Sequence, residues 1–496
     1  MPIDRYLNTG SNYVHPQESN LLNLHKAMEY NTEGEPVVRV SIGTSTINIS
    51  GPVTIPGTIE ISNDEGNPVP ISGTVNVSSA TVYQGTNPWV VTGNINANIT
   101  GTTTVSFPTG GNDAFGRLRV SDSYTLFDTR TRYYDHQQFS TTSTNGTVSY
   151  NSNDSTFTLT VNGSSGSQVI RETKRVFPYQ PGKSLLIYNT FAMAPANANL
   201  RQRVGFFGAQ NGIYFEQAGS TKYFVIRSYS SGVLQEERID STLWNGPDAA
   251  YTIYPEATQI FWIDVEWLGV GSVRCGFVVN GAYKLMHTFH HANRFELGSP
   301  VFTTTYMTTA CLPVRYEITN TGNSGQSHSM KQICSSVISE GGYNAFSTSE
   351  TAGTGITPFR LVTAGAYYPV VSIRLASTRL DSIVLPRQVD ILSPTVNYYR
   401  WVLLLNTTLT GATWTGTSAT GSVEYDIDAR INPVTNGTEV ASGYISSREL
   451  SVLGADFFSF QLGRTLSGVS DVISLALAAT SNNADVLAQI GWQEVT

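Results

Sequence analysis

The stretch Trp262-Ile263-Asp264-Val265-Glu266 places two carboxylates two positions apart inside a run of apolar side chains. On a β-strand that spacing sends Asp264 and Glu266 to one face. Two carboxyl groups on one face are what glycoside cleavage uses, one as general acid and the other as nucleophile. The structural alternative is that both pair with nearby arginines, such as Arg274, on the face of a sheet.

The other chemistry-bearing residues are sparser. His287, His290 and His291 form the one histidine cluster, HTFHH. On a strand His287 and His291 share a face and His290 opposes them, so at most two converge, and a metal site wants a third ligand. They read as an ordinary polar face. Cys275, Cys311 and Cys334 are odd in number and widely spaced, which fits buried free thiols better than a disulfide framework or a metal cluster. There is no Gly-x-Ser-x-Gly elbow and no Walker loop, and the Gly-rich pieces alternate with strands instead of opening helices. Tyr229, Trp244, Tyr251 and Tyr254 fall in or beside loops, where flat rings next to polar groups suit sugar stacking. Most aromatics belong to cores, so none of these is assigned. The reading therefore expects no catalytic, cofactor-binding or metal-binding residue and no cofactor.

The elements that would carry these residues are β-strands. Of 496 residues, 13% are charged, about half the usual share of ~25%, and Gly, Ser, Thr and Asn abound. The net charge of −8 and the lack of any basic run argue against a nucleic-acid partner, which draws on clustered Lys and Arg. The N-terminus, MPIDRYLNTG, has no basic start followed by an apolar core, so no secretory signal is expected. The longest apolar runs, Trp401 to Leu405 and Ile473 to Ala479, fall far short of the ~20 residues that span a bilayer. No membrane insertion is expected.

Along the chain, residues 1–40 stand apart: Pro16 opens a predicted short helix on which Leu21, Leu24 and Met28 recur, with Gly34 and Pro36 ending it. Residues 41–112 repeat short Gly-x-(Val/Ile)-x-(Val/Ile) pieces: GPVTI from Gly51, GTIEI from Gly57, GTVNV from Gly73. Each is one strand long and offers a thin apolar edge, which a lone chain cannot bury. An intertwined trimeric β shaft follows as the expectation. Residues 113–345 carry many short strands separated by turn residues at Asn162-Gly163, Pro181-Gly182, Asn211-Gly212, Ser231-Gly232 and Asn280-Gly281, which predicts a lectin-like jelly-roll sandwich. Residues 346–357 read as a linker, and 358–496 as a second, smaller β-sandwich. Within it Asp471 to Ala479 fits helix or strand equally. The fold class is all-β.

After the shaft comes DAFGRLRVSDSYTLFD, Asp113 to Asp128. This segment resembles one in virion structural and fibre proteins of tailed bacteriophages, where it follows similar Gly-x-Val-x-Val repeats and an Asn-Pro-Trp element, here Asn87, Pro88 and Trp89. Phe261 to Gly281, Leu312 to Gly322 and Met330 to Tyr343 are similar as well. The resemblance implies a particle component located in the virion, assembled in the host cytoplasm. A large jelly-roll glycosidase family also resembles the 262–266 stretch, with Glu-x-Asp-x-Glu in which the first Glu is nucleophile and the last the acid. Here Trp262 stands at the first position, which implies a related fold and no enzyme activity. Together these give a homotrimeric virion fibre, docked onto capsid, neck or tail proteins through residues 1–40 and attaching to a host-surface glycan. The alternatives are a decoration or collar protein of purely structural role, and a polysaccharide depolymerase, which Trp262 disfavours.

Overall fold

The computed structural model describes residues 28–30, 36–38, 122–134, 137–296, 299–343, 347–446, 451–452 and 460–495. The chain divides into two compact units, Met1–Thr104 and Val105–Thr496. In the first, β1 (Met28–Tyr30) pairs antiparallel with β2 (Pro36–Val38). This corrects the helix expected to run through Met28: that residue pairs with Val38, and Pro36 is itself in a strand. Periodicity at three positions could not outweigh the ladder. Leu21, Leu24 and the shaft at 41–112 lie outside the described residues.

The second unit is all-β and holds two antiparallel sandwiches. The strands of the first are β3 (Ser123–Thr129), β4 (Phe139–Thr144), β5 (Gly146–Asn151), β6 (Thr156–Val161), β7 (Gln168–Thr173), β8 (Ser184–Ala192), β9 (Leu200–Phe207), β10 (Gly212–Ala218), β11 (Thr221–Ser228), β12 (Gln235–Asp240), β13 (Gln259–Val265), β14 (Val273–Val279), β15 (Ala282–Phe289), β18 (Val314–Asn320) and β19 (His328–Glu340). A two-residue ladder, β16 (Phe295–Glu296) with β17 (Ser299–Pro300), precedes β18. One sheet has the order β12-β11-β10-β9-β18-β7-β4; the other runs β15-β14-β13-β8-β19-β6-β5, with β3 also on β19.

Alternation builds the core between them. On β8 the residues Leu185, Ile187 and Phe191 are buried inward, and on β13 Phe261, Ile263 and Val265 do the same. Phe215 and Phe224 from the opposite sheet meet Phe261 and Phe277, with Phe224 and Phe261 nearly parallel at 5.7 Å. The inward residues commit their even-numbered neighbours, Leu186, Tyr188, Trp262 and Asp264, to the opposite face of the sheet.

Asn211-Gly212, Ser231-Gly232 and Asn280-Gly281 do turn hairpins, β9–β10, β11–β12 and β14–β15. Asn280 and Gly281 both have positive φ, 51° and 76°, as a tight two-residue turn requires. Asn162-Gly163 instead begins a crossing from β6 to the other sheet. There the Asn162 carboxamide accepts from the Ser164 amide at 3.0 Å, so the side chain closes a local turn that no strand pair needs.

The second sandwich consists of β20 (Thr348–Gly353), β21 (Phe359–Leu361), β22 (Tyr368–Leu375), β23 (Ile383–Leu392), β24 (Tyr398–Leu405), β25 (Thr415–Gly416), β26 (Val423–Asp426), β27 (Thr438–Ser446), β28 (Ser451–Val452), β29 (Val472–Ala479) and β30 (Ala484–Val495). Its sheets run β20-β30-β23-β28, with β21 on β30, and β25-β26-β22-β29-β24-β27. The expected linker at 346–357 is corrected here, because Thr348–Gly353 is an edge strand paired with β30. Its sequence, TSETAG, offers one buried apolar side chain, Ala352, so β30 sets the pairing and no alternation marks it. Val472–Ala479 is a strand, flanked by β22 and β24.

The segment before β29 ties the two sandwiches together. Gln461 Nε2 donates to the Val176 carbonyl at 3.0 Å, the Arg464 amide to Lys174 at 2.8 Å, and the Leu466 amide to Ser140 Oγ at 3.0 Å. Arg464 Nη1 also lies 3.0 Å from Glu172 Oε1.

Candidate functional site

The first sandwich has two outward faces, and their chemistry differs. On the seven-stranded sheet, Arg203 Nε bonds Glu216 at 2.6 Å, Arg227 Nη2 reaches Glu236 at 2.8 Å and Arg315 Nη2 reaches Glu317 at 2.8 Å, while Arg238 closes on Glu216. Arg203, Glu216, Arg227, Arg315 and Glu317 are all buried. Such a lattice spends most of its donors and acceptors on itself, with Arg201 Nε and Arg315 Nε left unpaired among the described residues.

The outward face of the eight-stranded sheet is aromatic and incompletely satisfied. Antiparallel register sets Trp262 beside Tyr188 on β8 and Gly276 on β14, and Asp264 beside Leu186 and Arg274. The hydroxyls of Tyr188 and Tyr283 are hydrogen-bonded to each other, and the Tyr283 ring stands 5.7 Å from Trp262 at 63°. Tyr283 is 56% exposed, whereas Trp262 is buried, and its indole N–H has no hydrogen-bond partner among the described residues. A buried unpaired donor carries a cost in stability. The indole can lie against β14 because position 276 is glycine: a Cβ there would come 2.6 Å from the ring and 1.9 Å from the Lys284 carbonyl oxygen.

Carboxylates border the rings. Asp264 is buried and accepts from Arg274 Nη2, the pairing that the sequence held out as the structural alternative. Glu340, at the end of β19, accepts from Ser184 Oγ at 2.8 Å, and Glu266 is exposed just beyond β13. Burial pushes the Asp264 carboxyl up; Arg274 opposes it, and the negative charges of Glu340 and Glu266 add to the rise, so the net shift is upward. Burial, then the bond to Tyr283, also raises the Tyr188 phenol. The arrangement offers flat rings for stacking, with hydrogen-bond donors and acceptors beside them.

The histidines do not come together. His287 is buried in the interior, where Nδ1 accepts from the Asn245 amide at 3.3 Å, and His291 stacks on Tyr306 at 3.8 Å. His290, exposed, sits 3.3 Å from Ser272 Oγ. Burial, then His290, lowers His287 to about 4, and burial lowers His291 as well. The unfolded chain, titrating near 6.5, therefore binds more protons than the native state between about pH 4 and 6.5, so stability falls as pH drops through that window. From pH 7 to pH 5 His287 should account for a loss of about 2 kcal/mol. Denaturant titrations at both pH values should show a shallower loss for His287→Gln than for the unsubstituted chain.

Cys275 is buried, Cys311 and Cys334 are partly so, and all are free thiols. Of the loop aromatics, Trp244 is a core residue, buried and stacked on Phe224 at 4.2 Å. Tyr251 and Tyr254 are exposed, and Lys284 Nζ lies 4.8 Å from the Tyr251 ring. Sequence reasoning missed Tyr188, Tyr283 and Glu340. Each sits at an alternate strand position, but only knowledge of the order β15-β14-β13-β8-β19 would have grouped them.

No family model matches the chain, and no curated protein matches it in sequence. Solved structures do. A GH16 protein of Bacteroides ovatus mixed-linkage glucan use, bound to product, is 10% identical, with 43% of this chain and 99% of that one covered and a TM-score of 0.29. Peanut lectin is 10% identical, over 44% and 98%, with a TM-score of 0.27. The CBM2 module of the evolved Dit of Lactobacillus casei phage J-1 is 7% identical, over 46% and 100%, with a TM-score of 0.27. Lectin-like and carbohydrate-binding folds are thus among the chain's structural neighbours. So are glucanases and a laminarinase, against the expectation that the chain is not an enzyme. That expectation weighed one strand alone, whereas Glu340 enters the same face from β19 and acts on Asp264, so Trp262 at the first position of the motif does not empty the site of paired carboxylates.

Proposed function

We propose that this chain is a bacteriophage virion fibre that holds a host-surface glycan on the outward face of the eight-stranded sheet. The single observation behind the binding half is the exposed Tyr283 ring, packed on Trp262 and bonded to Tyr188, set beside Arg274, Asp264 and Glu340. Sugar rings present apolar C–H faces that stack on aromatic rings and hydroxyls that pair with the flanking polar groups. The virion half rests on the resemblance of the segment from Asp113 to Asp128 and of the stretches at 261–281, 312–322 and 330–343. Three chains joined along residues 41–112 would present three such faces, multiplying a weak affinity through effective concentration.

The test is retardation of the full chain in native gels containing polysaccharide purified from candidate hosts. Tyr283→Ala, an exposed position, should weaken binding about tenfold, a ring's worth of stacking, with an unchanged melting temperature. Equal retardation of the variant removes the glycan from this face.

A second reading follows from the three carboxylates Asp264, Glu266 and Glu340: the bound glycan is also cleaved between a pair of them. Release of reducing ends from the retarding polysaccharide, lost in Glu266→Gln, supports it; retardation without release leaves binding alone.

A further inference from the structure

We propose that the second sandwich carries a saccharide site of its own, for an uncharged sugar chain, on the outward face of its six-stranded sheet. An open groove of about 720 Å³ lies there, lined by Tyr367, Tyr398, Arg400, Tyr444, Ala478 and Thr480 among others. Register builds it. Arg400 on β24 faces Tyr444 on β27 and Ala478 on β29, while Tyr398 lies two residues before Arg400 and so on the same face. A floor as small as Ala478 leaves depth between the rings. Tyr398 is 68% exposed and Tyr444 81% exposed.

The polar groups between these rings are arranged to cancel charge while leaving hydrogen-bonding capacity. Arg400 Nη1 donates to Tyr367 Oη at 2.6 Å, and Nη2 donates to Glu439 Oε1 and Oε2 at 2.9 and 3.0 Å. The guanidinium is fixed in place by a carboxylate and a phenol, both partners of the ion pair remaining partly in solvent. An anionic ligand would have to displace Glu439. An uncharged one meets donors from Arg400, acceptors from Glu439 and two protruding rings for its C–H faces, the recipe by which proteins hold sugars in open grooves. This site is separate from the Trp262 face, which belongs to the other sandwich.

The experiment uses the full chain carrying Tyr283→Ala, so that the first face is weakened. Native gels containing dextran, galactomannan, glucomannan, mixed-linkage β-glucan or, as the acidic arm, alginate and polygalacturonate supply the probes. At least one neutral polysaccharide should retard the chain. Adding Tyr398→Ala and Tyr444→Ala should weaken that binding at least about tenfold, and Tyr444→Phe, which keeps the ring, should restore most of it in the presence of Tyr398. Both tyrosines are solvent-exposed, so the melting temperature should stay unchanged. Retardation by none of the neutral polymers, by the acidic ones alone, or undiminished in the double-tyrosine variant overturns the proposal. So does a change of sedimenting mass in that variant with sugar binding unaltered, which would make this face a contact between copies.

Discussion

Glu317→Ala should destabilise the first sandwich by about 3–5 kcal/mol, far more than an average surface charge. Glu317 is 2% exposed and has three guanidiniums around it, Arg315 Nη2 at 2.8 Å, Arg203 Nη1 at 3.5 Å and Arg201 Nη2 at 3.8 Å. Burial pushes its carboxyl up, but Arg315, Arg203 and Arg201 together outweigh that and hold it below the ordinary value. A carboxyl lowered in the folded state contributes stability that is present above the unfolded value near 4.3 and disappears as pH falls through the folded one. Truncation leaves Arg315 and Arg203 buried with one of their counter-charges gone, Glu172 and Glu216 remaining. Glu317→Gln, similar in shape, separates the charge from the packing and should keep most of the loss. Arg360 and Asp485 form a comparison pair at 2.8 Å with Arg360 largely in solvent, and Arg360→Ala should leave stability nearly unchanged. Urea titrations read both, and a Glu317→Ala loss no larger than that of Arg360→Ala would show that the lattice is not what holds this sheet.

Phe224→Ala should cost a comparable amount, about 3–5 kcal/mol, by a different route. Its ring is fully buried and stacks on Trp244 at 4.2 Å, on Phe261 at 5.7 Å and on Phe277 at 6.2 Å. It therefore joins the two sheets, and removing it leaves a cavity its β-strand neighbours cannot close. Because Phe261 alternates with Trp262 on β13, loosening the inner layer also loosens the outer face. Thermal melts followed by near-ultraviolet circular dichroism should show the lower midpoint, and glycan retardation should weaken in step with it. A variant as stable as the parent would mean the aromatic stack fills space without carrying stability.

Much of the sandwich architecture was legible because its signals are local. Val273–Val279 and Tyr398–Leu405 are strands of largely apolar sequence, and Asn280-Gly281 announces its own turn. What could not be read depends on neighbours distant in sequence. Thr348–Gly353 is a strand because β30 lends it a ladder, not because TSETAG asks for one. Asn162-Gly163 has hairpin composition yet serves a crossing between sheets. The site divides the same way. Asp264 and Glu266 were visible as a pair two residues apart, and their arginine, Arg274, was named; Glu340 arrives from 74 positions away by the pairing of β19 with β8 and of β8 with β13. Trp262 looked like the loss of a nucleophile and proves to be the centre of an aromatic cluster whose members, Tyr188 and Tyr283, come from two other strands.

Where a sugar comes to rest on the first sandwich can be seen directly in a crystal of the full chain grown with an oligosaccharide cut from the retarding polysaccharide. The expected result is a sugar ring stacked on Tyr283, with hydroxyls in hydrogen-bond reach of Arg274 or Glu340. A sugar seated instead over the Arg203–Glu216–Glu317 lattice of the seven-stranded sheet, or absent from this sandwich at saturating concentration, would contradict the assignment of the glycan to this face.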